Sequence, residues 1–154
     1  ILECAYGERM HVAEILKTVY EAGTLGKKSG EGFYIYTGRQ KKVSNNVRKM
    51  CKKNAFTLND DITLKRLIYV MINEASRCLE EGVVDSASTI DVGMIYGTGF
   101  PPFRGGLLRY ADSVGAKHIV ANLKEFQARF DQHRFEPSQL LLSMANTNGT
   151  FYPS

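Results

Sequence analysis

Apolar residues recur along this chain at intervals of three and four, and each such run ends at glycine or proline, so the chain is confined to packed helices. Val12, Ile15, Leu16 and Val19 fall at i, i+3, i+4, i+7. This spacing predicts a helix from Gly7 to Ala22, with Gly23 placed for a left-handed C-cap. The stretch from Thr24 to Gly32 holds three glycines after Leu25 and reads as a loop. Phe33-Tyr34-Ile35-Tyr36 reads as a short extended piece, too isolated to imply a sheet.

Further along, Asn59-Asp60-Asp61 supplies N-cap chemistry for a helix running to Glu81. Its expected apolar stripe is Leu64, Leu67, Ile68, Met71, Ala75, Cys78 and Leu79. Ser86 or Ser88 caps a helix through Ile90, Met94 and Ile95 that is expected to break at Gly97 and Gly99. Pro101-Pro102 makes 97–106 an ordered, turn-rich loop. A short helix over 106–112 follows, then one over 116–132 with Ile119, Leu123, Phe126 and Phe130 on one side, then a last helix opened by Pro137. The tail from Asn146 is expected to be frayed or docked by Phe151 and Tyr152. The fold class is all-α, a helical bundle.

Composition narrows the functional classes. The chain has 154 residues, 44% hydrophobic and 23% charged, which is ordinary globular composition. No run approaches the roughly 18 apolar residues of a membrane-spanning helix. Cys4, Cys51 and Cys78 are an odd count without metal-ligand spacing, which points to a reducing, intracellular setting. The net charge of +4 is uneven: seven of the 20 basic residues lie between Arg39 and Lys53. The remaining 13 face 16 acidic residues, so the rest of the chain is net −3. Residues 41–58 read as a basic linker. With only Phe56 nearby as an aromatic, the segment lacks the interleaved rings that stack nucleic-acid bases.

No catalytic, cofactor-binding or metal-binding residue emerges. Gly30-x-Gly32 and Gly97-x-Gly99 each start like a dinucleotide fingerprint but lack the third glycine and the strand-to-helix setting. His11, His118 and His133 are not arranged as a relay, and the pairing of His11 with Glu14 reads as a surface contact. Cys78 lies on an apolar stripe with acidic neighbours, so it reads as a core residue rather than a thiolate. The structural and interface candidates are Arg104, Phe100, Phe103, Lys27 and Lys28. Phe100 and Phe103 are expected to anchor the Pro101-Pro102 loop. Arg104, with five donors, is expected to clamp loop carbonyls or a carboxylate such as Asp91 or Asp112.

Two segments carry more. Gly26 to Tyr36, "GKKSGEGFYIY", resembles the close of the first helical domain of the multifunctional 3-hydroxyacyl-CoA dehydrogenases of fatty-acid β-oxidation. "NEASRCLEEGVV" (Asn73 to Val84) and "IDVGMIYGTGFPPFRGGLLRYAD" (Ile90 to Asp112) resemble the second helical domain of that family. The resemblance implies a helical bundle of the dehydrogenase C-terminal type, similar to the C-terminal domain of 6-phosphogluconate dehydrogenase. It divides the chain into residues 1–40, the end of a truncated first helical domain, the linker 41–58, and a second helical domain over 59–150. It implies a C-terminal fragment that scaffolds an enzyme oxidising 3-hydroxyacyl-CoA with NAD while carrying no catalytic residue and binding no NAD itself. Expected partners are the Rossmann and hydratase domains of the parent chain and a thiolase subunit, and expected settings are the bacterial cytoplasm or a mitochondrion. Lys27 and Lys28 then face solvent, an acidic surface or a CoA phosphate. The helix over 7–22 is expected to leave Val12, Ile15, Leu16 and Val19 exposed or covered by a second copy. The rival reading is a free-standing helical module that binds an acidic partner through 39–53.

Overall fold

The computed structural model describes residues 1–53, 59–130 and 133–153, which form two compact units, Ile1–Leu58 and Asn59–Ser154. Phe56, weighed above as a stacking ring, lies outside the described residues.

In the first unit the helix expected over 7–22 is split. Helix α1 (Leu2–Tyr6) runs into a 3-10 turn (Gly7–Met10), and α2 begins only at Glu14 and ends at Glu21. Glu3 causes the break. Its carboxylate accepts from the Val12 backbone N–H at 3.1 Å and lies 2.9 Å from His11 Nδ1, so the chain folds back on α1 instead of extending α2. That backbone hydrogen bond, ahead of any charge effect, holds the Glu3 carboxyl below the ordinary carboxylate range. Of the expected apolar face, Val19 is buried and Leu16 is 48% exposed.

A sheet does form. Strand β1 (Tyr34–Thr37) pairs antiparallel with β2 (Gln40–Val43), Tyr36 facing Lys41 and Tyr34 facing Val43. Gly38, at φ +60°, sits where a two-residue type II′ loop places glycine. The partner strand comes from the stretch read as a basic linker, whose lysines hid its extended geometry. The same stretch continues into α3 (Asn45–Lys53). Ser44 caps that helix by accepting from the N–H groups of Asn46 (3.1 Å) and Val47 (3.4 Å), and donates to Glu31 at 2.7 Å.

Among its described residues the second unit is built from helices joined by turns, with no strand. Asn59 caps α4 (Asp60–Glu80) by accepting from Ile62 N–H at 2.8 Å. Ser86 caps α5 (Ala87–Thr98), which runs straight through Gly97 and stops at Gly99 in the left-handed region. Helices α6 (Leu107–Val114), α7 (Ala116–Phe130) and α8 (Gln139–Thr147) follow, with Ser138 capping α8. Helix α4 packs on α6, α7 and α8, and α5 packs on α6. The core gathers Ile72, Leu107, Leu108, Ile119, Leu123, Phe126, Phe135 and Leu141, and each such side chain contributes about 1.5–3 kcal/mol of burial.

Helix α4 meets its expected stripe in part: Ala75 is buried and Ile68, Met71 and Leu79 pack against the core, but the N-terminal end of the stripe does not. Leu64 and Leu67 are 58% and 60% exposed, while Tyr69, Ile72, Asn73 and Ser76 face inward. Asn73 and Ser76, outside the expected apolar stripe, are buried and make the hydrogen bonds described below.

Candidate functional site

The loop between α5 and α6 closes around one buried carboxylate. Asp91, 3% exposed, accepts from the Leu108 N–H at 2.6 Å and the Arg109 N–H at 3.1 Å, at the start of α6. Tyr152 Oη donates to the same carboxylate at 2.7 Å. Gly106 makes the approach possible: at φ +121° its backbone passes so close that a Cβ there would overlap the Asp91 side chain. The tail is held by a second carboxylate, with Asp112 accepting from Phe151 N–H (2.8 Å) and Tyr152 N–H (3.0 Å). The Arg109 guanidinium lies 3.6 Å above the Tyr152 ring. Burial, then the hydrogen bond to Asp91, pushes the Tyr152 hydroxyl up to about 12.

A second anchor joins α4 to the turn before α8. Asn73 Nδ2 donates to the carbonyls of Arg134 (3.2 Å) and Glu136 (2.8 Å), and Asn73 Oδ1 accepts from Ser138 N–H at 2.9 Å. Ser138 Oγ donates to Ser76 Oγ at 2.8 Å, and Arg77 also reaches the Glu136 carbonyl at 2.7 Å.

The loop candidates separate. Phe100 is buried beside Tyr110, with ring centroids 6.4 Å apart. Phe103 is 83% exposed and does not anchor the loop in the core. Arg104 does not clamp Asp91 or Asp112, because backbone N–H groups already occupy both carboxylates; its guanidinium rests on the Phe103 and Tyr110 rings, at 5.8 and 5.5 Å. Lys27 and Lys28 sit in the 3-10 turn Gly26–Lys28, exposed, with Lys27 Nζ 6.0 Å from the centre of the Tyr36 ring. Sequence reasoning missed Gly106 and Asn73; it offers Tyr152 as a docking residue of the tail, which it is, but not as a partner of Asp91. The available signal was Asp91, a lone acid inside an apolar helix, with a Gly-Gly pair soon after it.

Acid–base groups gather at one place in the first unit, where His11 lies 2.9 Å from Glu3 and 3.9 Å from Glu14. This half-exposed cluster braces the α1–α2 corner. Among the described residues no group of three or more His, Cys, Asp or Glu is arranged to hold a metal ion, and no helix is long and apolar enough to cross a membrane. The paired glycines do not fit a dinucleotide: Gly30 and Gly32 precede a strand, and Gly97 lies inside α5, so neither opens a helix toward a pyrophosphate.

Comparison with known proteins identifies the fold and its kin. The profile of the 3-hydroxyacyl-CoA dehydrogenase C-terminal domain matches residues 63–150. This chain belongs to that family. Within it, the chain is 38% identical over 153 residues to the fatty acid oxidation complex subunit alpha of Vibrio parahaemolyticus and 41% identical over 155 residues to that of Shewanella loihica. Each match covers 99% of this chain and 22% of the relative, so the chain spans about a fifth of their length. Among solved structures, the dehydrogenase part of a multifunctional enzyme from C. elegans superimposes with a TM-score of 0.65 at 23% identity, over 92% of this chain and 34% of that one. M. tuberculosis FadB2 aligns with a TM-score of 0.52 at 23% identity, over 58% of this chain and 32% of that one. Both share the fold of this dehydrogenase C-terminal domain.

Proposed function

We propose that this chain is the C-terminal helical part of a fatty-acid β-oxidation enzyme that oxidises 3-hydroxyacyl-CoA to 3-oxoacyl-CoA with NAD. The supporting observation is identity of 38–41% along nearly the whole chain to one fifth of the α subunits. In this reading residues 1–40 close a first helical domain and 59–150 form the second. NAD and the reacting groups belong to the intact enzyme, and the chain itself supplies shape and contacts for Rossmann and hydratase domains and for a thiolase subunit, in the bacterial cytoplasm or alternatively a mitochondrion. Leu16, Tyr20 and Leu25, at 48%, 73% and 52% exposure, support a first unit that packs on further helices of the parent, or on a second copy when isolated. Phe103 is an outward contact of the same kind, and Lys27 and Lys28 face an acidic surface or a CoA phosphate.

The test mixes the chain alone with 3-hydroxybutyryl-CoA and NAD⁺, expecting no NADH, and then adds it to a parent subunit lacking this segment, expecting dehydrogenase activity to return. Steady NADH formation by the chain alone, or no recovery on mixing, overturns the reading. The rival, a module for an acidic partner, draws on the exposure of Arg39, Lys41, Lys42, Arg48 and Lys49. It requires binding that reversal of these charges abolishes while recovery of the dehydrogenase is untouched.

A further inference from the structure

The loop between α5 and α6 is fixed from the inside and turns two large side chains outward. Phe100 is buried at its start, Asp91 holds the N–H groups of Leu108 and Arg109 at its end, and Pro101 and Pro102 restrict the chain between. On this frame Phe103 stands exposed, and the Arg104 guanidinium lies 5.8 Å from its ring centre and 5.5 Å from that of Tyr110. Among the described residues the Arg104 side chain makes no hydrogen bond and no ion pair. Stacking on a ring satisfies none of the five donors of a guanidinium, so the whole fork is free to take an acceptor.

Charge and apolar surface agree on what covers such a pair. Between Asp91 and Asp112 the chain carries two arginines and no acidic residue, whereas residues 59–154 as a whole hold 11 acidic residues against nine basic. The loop is therefore a positive patch on a net acidic unit. Helix α5, which leads into it, is apolar outward as well: Val92 and Tyr96, four residues apart on one face, are 55% and 86% exposed. A free fork beside an exposed ring asks for a carboxylate and an apolar surface together. A phosphate alone would engage the fork and leave Phe103 in water. Arginine and aromatic side chains are also the types that carry most of the energy of protein interfaces.

We propose that Phe103 and Arg104 anchor the second unit on another protein surface, one that presents an Asp or Glu carboxylate beside an apolar pocket. The fixed loop holds both side chains ready, so little ordering is left for the moment of docking. The inference rests on the β-oxidation reading for the source of that surface, a further domain of the parent subunit.

Calorimetric titration of the whole chain into a parent subunit lacking this segment tests it. Wild type is expected to bind, and more weakly as salt is raised. Phe103→Ser and Arg104→Met are each expected to weaken binding roughly tenfold, and Arg104→Lys, which keeps the charge and loses the fork, several-fold. Arg104→Met is also expected to lose much of the salt dependence, which a merely space-filling contact would leave in place. Both side chains are exposed, so all three variants are expected to keep the wild-type Tm. Undiminished binding in Phe103→Ser or Arg104→Met, or a fall in Tm that accompanies the lost affinity, overturns the anchor and leaves the β-oxidation reading standing. Competition by inorganic phosphate at matched ionic strength assigns the fork to a phosphate-bearing ligand and overturns the carboxylate partner. Failure of wild type to bind overturns that reading and the anchor with it.

Discussion

The two units share one chain but are held together by different means. Of the buried apolar side chains among the described residues, Val19 and Val47 lie in Ile1–Leu58, whereas those from Tyr69 to Met144 lie in Asn59–Ser154. The first unit relies on local hydrogen bonds and tight turns: the Glu3 brace, the glycine loop and the Ser44–Glu31 link. Gly32 illustrates how tight these are, since a Cβ there would come within 2.8 Å of the Gly26 Cα. The second unit combines a continuous core with two buried polar anchors. A small unit lacking its own core takes its stability from whatever surface covers it, while a cored unit keeps its own.

The sharpest way to break this contrast is Gly106→Ala. The added methyl collides with Asp91 at a backbone angle that L-residues rarely adopt. The expected loss is about 4 kcal/mol or more, measured as a collapsed melting transition of the second unit. Amides of β1 and β2 are expected to exchange with solvent at their wild-type rates. A wild-type melting temperature would mean that Asp91 does not close this loop. Asp91→Ala comes next, leaving two backbone N–H groups and the Tyr152 hydroxyl without their acceptor, at an expected cost of about 3 kcal/mol by denaturant titration.

Tyr152→Phe sharpens the comparison through pH. In the folded chain the Tyr152 hydroxyl titrates at about 12, above its ordinary value of 10.0. A raised folded pKa means that its contribution is complete below pH 10 and is lost as pH climbs from about 10 towards 12. Wild type is therefore expected to lose stability over that window, and Tyr152→Phe, weaker by about 1 kcal/mol at neutral pH, to lose less there. Parallel alkaline melting curves for the two proteins would remove Tyr152 from the anchor.

Helix spacing and capping residues conveyed most of the second unit: Asn59, Ser86 and the Gly99 stop stand where the sequence predicts them. Several of the departures turn on where polar groups find their partners. Asn73 and Ser76 turn inward beside Ala75, while Leu64 and Leu67 of the expected stripe face out. Lys41 and Lys42 read as linker, yet pairing depends on backbone groups and turn geometry, which Gly38 supplies. The donor count of Arg104 suggests a clamp, but the carboxylate beside the start of α6 is taken by N–H groups fixed in place. Tyr152 reaches Asp91 across 61 residues of sequence, a contact that no local pattern contains.

The smallest expected effect lies in the first unit. Ser44→Ala removes both the cap of α3 and the hydroxyl that donates to Glu31, while leaving every apolar contact of the second unit in place. Loss of an N-cap costs about 1 kcal/mol. In a unit without a core of its own, that loss is expected to raise amide exchange across β2 and α3 about fivefold and leave the melting temperature of the second unit where it was. If Ser44→Ala lowers that temperature as well, the contrast between a coreless and a cored unit fails.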